Sequence, residues 1–546
     1  MDIRGFNIKI LLTGMILLFS LSALTQDYDW GNVDFIQLPN QNGNAPGGLL
    51  AIMENDHKII AGRFEGSMTY QGITLTTSLY YGAFIAKLDE NDSLLWIRKF
   101  VESEHLHAFQ NTPQFGNIDL LEVDNTNNFY LTLNFADSIY VDSQLYIANT
   151  ISPEYRQTLL LKFDSNGNIV QNLELNGSCW KNIGNLQIDK KQNLYLYGRF
   201  GNDTWGTTSN CTCIFDGTIH TTSSTNVFLA KYDSLANLLW INTIEANNNI
   251  SPKGFGIIGN SIYLSGSLYN TNIPINFGSY ILNYPANYEK GGFIAKYDTS
   301  GNFKWVKYYG AKGWDSNVAN FDITILNSNT IVIGGLVQTQ SESSHLYFQN
   351  SSPLTRISSG AETNYFVIAY DSLGNIKWKD LAQCNGWDGV YAMSSDSKSN
   401  LFVTGTYEGI MYFENDTLLY IGESIWVGAY DSLGTKLWSR KAGGNGFSGG
   451  FDIEIDSNDD LYVLGGTLSN PMVFGDTSYA INVPSVFIAK MVPSIVSNTI
   501  NIQTPNPNKK LLKIVDVLGR ETKVKKNTLL FYTYSDGTVE KRIIIY

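Results

Sequence analysis

FIAKYDTSGNFKW, residues 293–305, decides the architecture, because the chain keeps rewriting it. Five further versions read FIAKLDENDSLLW (84–96), LLLKFDSNGNIVQ (159–171), FLAKYDSLANLLW (228–240), FVIAYDSLGNIKW (366–378) and WVGAYDSLGTKLW (426–438); a seventh is cut short at FIAKM (487–491). The aspartates Asp89, Asp164, Asp233, Asp298, Asp371 and Asp431 are separated by 75, 69, 65, 73 and 60 residues. Seven positions after each stands Trp96, Gln171, Trp240, Trp305, Trp378 or Trp438. A second phrase recurs between the copies: KIIAGRF (58–64), FYLTLNF (129–135), LYLYGRF (194–200), IYLSGSL (262–268), IVIGGLV (331–337), LFVTGTY (401–407) and LYVLGGT (461–467). Alternating β-branched and aromatic residues between Asp, Asn, Ser and Gly read as strands joined by tight turns. In Asp371-Ser-Leu-Gly-Asn375 the Asp accepts backbone N–H groups just ahead and Gly supplies the positive φ of the return.

Each unit of about 68 residues therefore holds four strands, the content of one propeller blade. The seventh unit lacks its Trp-bearing return strand, and DYDWGNVDF (27–35) supplies a candidate for it. Trp30 to Trp438 spans 408 residues, six intervals of 68. The expected fold is all-β: a seven-bladed β-propeller over 27–493, closed by the N-terminal strand, then a small β-sandwich-like C-terminal domain over 494–546. Closure removes sheet edges that invite aggregation. Gln171 and the copy around Asn134 depart from the pattern, so the first two blades are expected to be the irregular ones.

Of the 546 residues 43% are hydrophobic and 13% aromatic, which excludes a disordered chain. The net charge of −13 argues against a nucleic-acid partner, which needs a basic surface. That charge is uneven. Residues 27–493 carry 26 basic against 45 acidic side chains, whereas 494–546 carry nine against four. At the start, Arg4 and Lys9 precede an apolar run, Ile10 to Leu24, with small residues at Ser22, Ala23 and Thr25. This predicts a signal peptide over 1–25. No later stretch is apolar enough to span a membrane, so the mature chain is expected to have no transmembrane segment.

Catalytic and metal signals are sparse. There are four cysteines; Cys211 and Cys213 are too close for a comfortable mutual bridge, leaving Cys179 with one of them as the alternative. No paired Cys-x-x-Cys, HExxH, Gly-x-Ser-x-Gly or phosphate loop occurs. His105 and His107 would need a third ligand to hold a metal. Asp164-Ser-Asn-Gly-Asn168 opens like a calcium loop, but its twelfth position is Leu175. Neither metal nor cofactor is expected. Nine residues after the anchoring positions stand Trp180, Trp314, Trp387 and Phe447, the middle two followed by Asp315 and Asp388. These loops are expected to gather on one face, where Trp with Asp suits sugar stacking or a protein hot spot, unless the rings are wedged between blades.

The paired phrases resemble those of β-propeller repeat proteins common among exported bacterial proteins. The tail NPNKKLLKIVDVLGRETKVKKNTLLFYTYSDGTVEKRIIIY (506–546) resembles the C-terminal sorting domain of type IX secretion cargo. That resemblance implies Asp516, Gly519, Arg520, Asp536, Gly537 and Lys541 as sorting-signal positions. It also implies the Sec translocon and the type IX machinery as partners, and a secreted or outer-membrane cell-surface location. Asp-Ser/Thr before an aliphatic residue resembles the O-glycan acceptor of such bacteria, at Ser93, Ser138, Ser234, Ser372, Thr417 and Ser432. The functional expectation is a binding module for glycan or protein. The alternative is an exported enzyme, quinoprotein-like or glycan-active, using the central channel. Against it, the Asp-to-Trp spacing of seven is one short of the quinoprotein repeat.

Overall fold

FIAKYD and its return leg form an antiparallel pair, Lys290–Asp298 against Phe303–Ala311, in the computed structural model of the chain. Residues 27–40, 46–103, 118–135, 138–148, 157–201, 210–247, 250–285, 288, 290–312, 317–327, 330–338, 345–355, 363–384, 386, 388–414, 416–493, 510–516, 519–525, 529–535 and 539–543 are described. The signal peptide expected over 1–25 lies outside them. Among the described residues every regular element is a strand, and no helix is long and apolar enough to cross a membrane.

The strands fall into antiparallel modules of four, in sequence order across each sheet. The first is Gly48–Ile52, Lys58–Tyr70, Ile73–Leu88 and Leu94–Ser103; the second is Ile118–Val123, Phe129–Phe135, Gln157–Phe163 and Ile169–Glu174. The third is Trp180–Ile188, Leu194–Gly201, Asn226–Tyr232 and Leu238–Ile244; the fourth is Ile250–Ile258, Ser261–Leu268, Lys290–Asp298 and Phe303–Ala311. Asn317–Asn327, Thr330–Gln338, Thr363–Tyr370 and Ile376–Leu381 make the fifth, and Gly389–Ser395, Leu401–Phe413, Asp416–Tyr430 and Lys436–Gly444 the sixth. The last runs Ser448–Ile455, Leu461–Thr467 and Ser485–Pro493, and its fourth strand is Tyr28–Gln37 from the other end of the chain. This is a β-propeller-like repeat fold.

The two recurring phrases are paired because a glycine in one makes room for an aromatic ring in the other. Gly62, Gly198, Gly266 and Gly465 stand opposite Phe84, Phe228, Phe293 and Phe487 on the neighbouring strand. A Cβ at any of the four would meet the ring within 3 Å. Apolar burial, the main stabilising term, is shared between modules. Phe129, Leu131 and Phe163 of the second pack with Ile59 and Ile85 of the first, and Tyr462 and Leu464 of the last pack with Ile60 and Phe84 of the first.

A further device was not visible in the repeats. Between its second and third strands each module sends out a hairpin or strand extension that pairs with the end of the preceding module. Val141 pairs with Val101, Ile214 with Asn176, Asn276 with Glu245, Tyr347 with Gly310, Tyr412 with Gln383, Val473 with Gly443, and Thr69 with Gln37. Each latch pairs the end of that module's outer strand and leaves the rest of its edge open.

The chain divides at Pro493, with Ser494–Tyr546 as a second compact unit. Where a β-sandwich was expected, its described residues form one three-stranded sheet, Leu511–Val515, Leu529–Tyr534 and Val539–Ile543. Among those residues Leu530, Tyr532 and Tyr534, with Ile514 against them, make an apolar cluster.

Candidate functional site

The Asp turn is the element that places everything at the outer edge. In the turns at Asp89, Asp164, Asp233, Asp298, Asp371 and Asp431, one carboxylate oxygen accepts the backbone N–H groups two and four residues on. Burial opposes the charge at Asp164 and Asp371, but donation from Asn168 and Asn375 outweighs it and holds both carboxyls below their usual range. The calcium-loop alternative at Asp164 is thus a turn whose carboxylate is already spoken for by its own chain.

The periodic tryptophan reaches across to the turn of the next module. Trp240, Trp305 and Trp378 donate their indole N–H to the carbonyls of Thr299, Ser372 and Ser432, each at 3.3 Å. Under the rings of Trp96, Trp240, Trp305 and Trp378 lie Gly167, Gly301, Gly374 and Gly434, where a Cβ would come within 2.4–3.2 Å of the indole. Two turns lack this glycine, having Asp92 (φ 65) and Ala236 (φ 63) in its place. Among the described residues no indole covers either of these turns. Asp92 follows the last module, whose fourth strand sets Trp30 opposite Met491, so that its indole donates to Lys441 O instead. Trp30 therefore belongs to the expected strand without playing the clamping part. Ala236 follows the second module, where Gln171 replaces the indole.

That substitution leaves a groove. A cavity of about 680 Å³ is lined by Arg98, Val141, Asp142, Gln144, Tyr146, Asn168, Ile169, Val170, Gln171, Asn172 and Leu235. Arg98 is ion-paired with Asp142, and Asn172 donates to the Tyr146 hydroxyl at 2.9 Å. The same seam carries the disulfide Cys179–Cys211, which ties the start of the third module to its own latch hairpin. Cys213 and Cys384 are buried free thiols; burial pushes Cys213 up to about 12.

A second polar site lies where the first strands meet. Each packs beside the first strand of the next module, and Ser448–Ile455 packs beside Gly48–Ile52. Asn185 of the third module donates to Lys253 O of the fourth, Asp322 of the fifth accepts Met393 N of the sixth at 2.8 Å, and Asp452 of the last accepts Leu50 N of the first at 2.9 Å. All three follow a β-bulge that turns the side chain toward its neighbour. Glu122, Asp322, Asp452 and Glu454 converge here, partly wetted yet enclosed by protein. Burial, then the neighbouring carboxylates, raises Glu122 to about 8; burial raises Asp322 to about 7 and Asp452 to about 6, and Glu454 rises well above its ordinary value. Among the described residues no three His, Cys, Asp or Glu could hold one metal ion.

The rim aromatics separate into two groups. Trp180 is 4% exposed, begins the first strand of the third module and lies under the Arg199 guanidinium at 4.4 Å. Its ring belongs to the packing and is not offered to a ligand. Asp388 is buried, and its carboxylate helps hold the proton of the buried Cys384 thiol; Phe447 is half-buried and stacked on Phe451. Trp314, Asp315 and Trp387 lie outside the described residues, as do His105, His107, Asp536 and Gly537. Asp516, Gly519 (φ 77) and Arg520 build one more Asp turn, with Asp516 accepting Arg520 N at 3.0 Å, and Lys541 lies on the strand Val539–Ile543. Ser93, Ser234 and Thr417 are exposed, and Ser138, Ser372 and Ser432 are half-buried.

The comparisons with known proteins add a modest likeness. No family model matches the chain. It is 26% identical over 261 residues to the uncharacterized WD repeat-containing protein L264 of Acanthamoeba polyphaga mimivirus, covering 43% of this chain and 18% of the viral protein. The chain thus spans less than a fifth of that relative's length. Among solved structures it is similar to the WD40 domain of SCAP from fission yeast, at 9% identity and TM-score 0.26, covering 83% of this chain and 98% of that one. A eukaryotic initiation factor gives 8% identity and TM-score 0.27, covering 75% and 96%.

Neither the groove nor the carboxylates Glu122, Asp322, Asp452 and Glu454 belong to a repeated phrase. For the groove one signal was available. Gln171 and Ala236, the two partners of a single clamp, both depart from the repeat.

Proposed function

We propose that this chain is an exported binding module: a seven-bladed propeller closed by Tyr28–Gln37, acting on a glycan or protein outside the cell. The observation that carries this reading is the groove beside Gln171, a polar concavity left where one seam lacks the clamp that four others have. A rigid frame with an unfilled, polar-lined site suits recognition, since little ordering cost is left to binding. Closure is supported by the register of Tyr28–Gln37 on Ser485–Pro493 and by the apolar cluster that first and last modules share. The basic C-terminal unit with its Asp516 turn serves as the type IX sorting signal, after Sec export directed by residues 1–25. On this reading the protein is secreted or held at the outer-membrane cell surface. Ser93, Ser138, Ser234, Ser372, Thr417 and Ser432 are the O-glycan acceptors, and Trp314, Asp315, Trp387 and Phe447 are further candidate ligand contacts.

One observation favours a second reading, an enzyme working in the central channel: Glu122, Asp322, Asp452 and Glu454 have carboxyls held toward the protonated form, as a general acid requires. Asp322 and Asp452 are already engaged by two backbone N–H groups each, which makes them stitches between modules first. The full-length chain on an array of glycans and surface proteins tests the primary reading. Specific capture supports it. No capture, together with glycan hydrolysis lost in Glu122→Gln, would replace it with the enzyme.

A further inference from the structure

We infer that the groove beside Gln171 is a binding site for a neutral oligosaccharide, an assignment that rests on the binding-module reading and names its ligand class. Its origin is specific. In four modules an indole fills the space between the outer strand and the next turn, pressed onto a glycine. At the seam between second and third modules both partners are exchanged: Gln171 brings no ring, and Ala236 carries the methyl that would block an indole. Loss of the ring alone would leave a defect; loss of ring and seat together leaves a shaped cavity of about 680 Å³.

The lining chooses the ligand. Seven of the eleven residues are polar, which decides against an apolar peptide pocket. Four of these are carboxamides, Gln144, Asn168, Gln171 and Asn172. Each holds a donor and an acceptor in one plane, the spacing that meets adjacent hydroxyl groups of a sugar. The only charges, Arg98 and Asp142, are paired with each other. The site is therefore neutral and offers no surplus attraction to phosphate, carboxylate or cation. Exposed Val170 and Leu235, at 55% and 75%, give the apolar C–H face of a pyranose something to cover. The Tyr146 ring is buried at 5% exposure, so only its hydroxyl, already held by Asn172, faces the ligand.

The full-length protein is titrated by calorimetry with maltoheptaose, cellohexaose, mannohexaose and xylohexaose. One of the four is expected to bind with Kd below about 1 mM. The double variant Gln171→Trp, Ala236→Gly restores the clamp; it is expected to raise Tm and weaken that sugar at least tenfold. Asn172→Ala, an exposed change, is expected to weaken it at least threefold with Tm unchanged. Silence of all four sugars overturns the glycan assignment, as does capture in the groove of an uncharged octapeptide of Thr and Val in their place. Undiminished sugar binding by a folded double variant overturns the location while leaving the binding-module reading standing. Failure of the full array with the wild-type chain removes that reading as well.

Discussion

Trp378 lies flat against Gly434, so close that a Cβ on the glycine would stand 2.4 Å from the indole, while the indole N–H donates to Ser432 O at 3.3 Å. A tryptophan at the end of one module and a glycine in the turn of the next are thus one structural unit, 56 residues apart. Gly434 also has φ +85, a conformation costly for any residue with a side chain.

Gly434→Ala should cost about 1–3 kcal/mol, from overpacking against the ring and a strained φ. In a Trp378→Ala background the same change should cost less than half as much, because the ring it collides with is gone. A double-mutant cycle by urea unfolding measures the coupling. Additive costs would show that the clamp is not a unit.

Cys179–Cys211 stands at the seam that lost its indole. With the bridged positions 32 residues apart, replacing both cysteines by serine should cost about 3–4 kcal/mol. Thermal unfolding with and without reductant checks this. Reduction should lower the Tm of the wild type and leave the double serine variant unmoved; equal Tm values in all four samples would deny the bridge a stabilising part.

Stability should fall as pH rises from about 4 toward about 8. Glu122, Asp322, Asp452 and Glu454 hold protons in the folded state that the unfolded chain has already released near its ordinary carboxyl range. Since the folded form binds more protons there, raising pH favours unfolding. The turn carboxylates work in the opposite sense below about pH 4, because Asp164 and Asp371 are held below their usual range. Tm measured at pH 5.5, 7 and 8.5 should decline steadily, and Glu122→Gln should flatten the slope. A Tm that rises to pH 8.5 would contradict the enclosure of these groups by protein.

Deleting residues 27–37 should leave the strand Ser485–Pro493 without its partner from Asp29↔Val492 to Gln37↔Ser485. An unpaired edge beside the buried Phe487 and Met491 should drive association. Size-exclusion chromatography with light scattering is expected to show oligomers or aggregates. A monomer with unchanged Tm would mean that the N-terminal strand closes nothing.

What the residues determined alone was the repeat. Asp371, Gly374 and Trp378 each answer a local demand: a turn acceptor, a positive φ, an aromatic to cover the next turn. Local demands recur wherever the unit recurs, so the all-β propeller-like architecture and its N-terminal strand could be read from spacing. The repeat says which strand comes next, but not what its side chains meet across a seam. Trp180 looked like a ligand platform by its offset from Gln171, yet it packs under Arg199, because burial depends on a neighbour 19 residues away. Asp322 and Asp452 carried no motif, and they matter because folding brings Met393 and Leu50 against them from 71 and 402 residues away. Gln171 was legible as a departure; only the packing of its module against Ala236 and the hairpin 138–147 turned that departure into a cavity. Contacts between modules are long-range in sequence, and that is why the frame was readable and the sites were not.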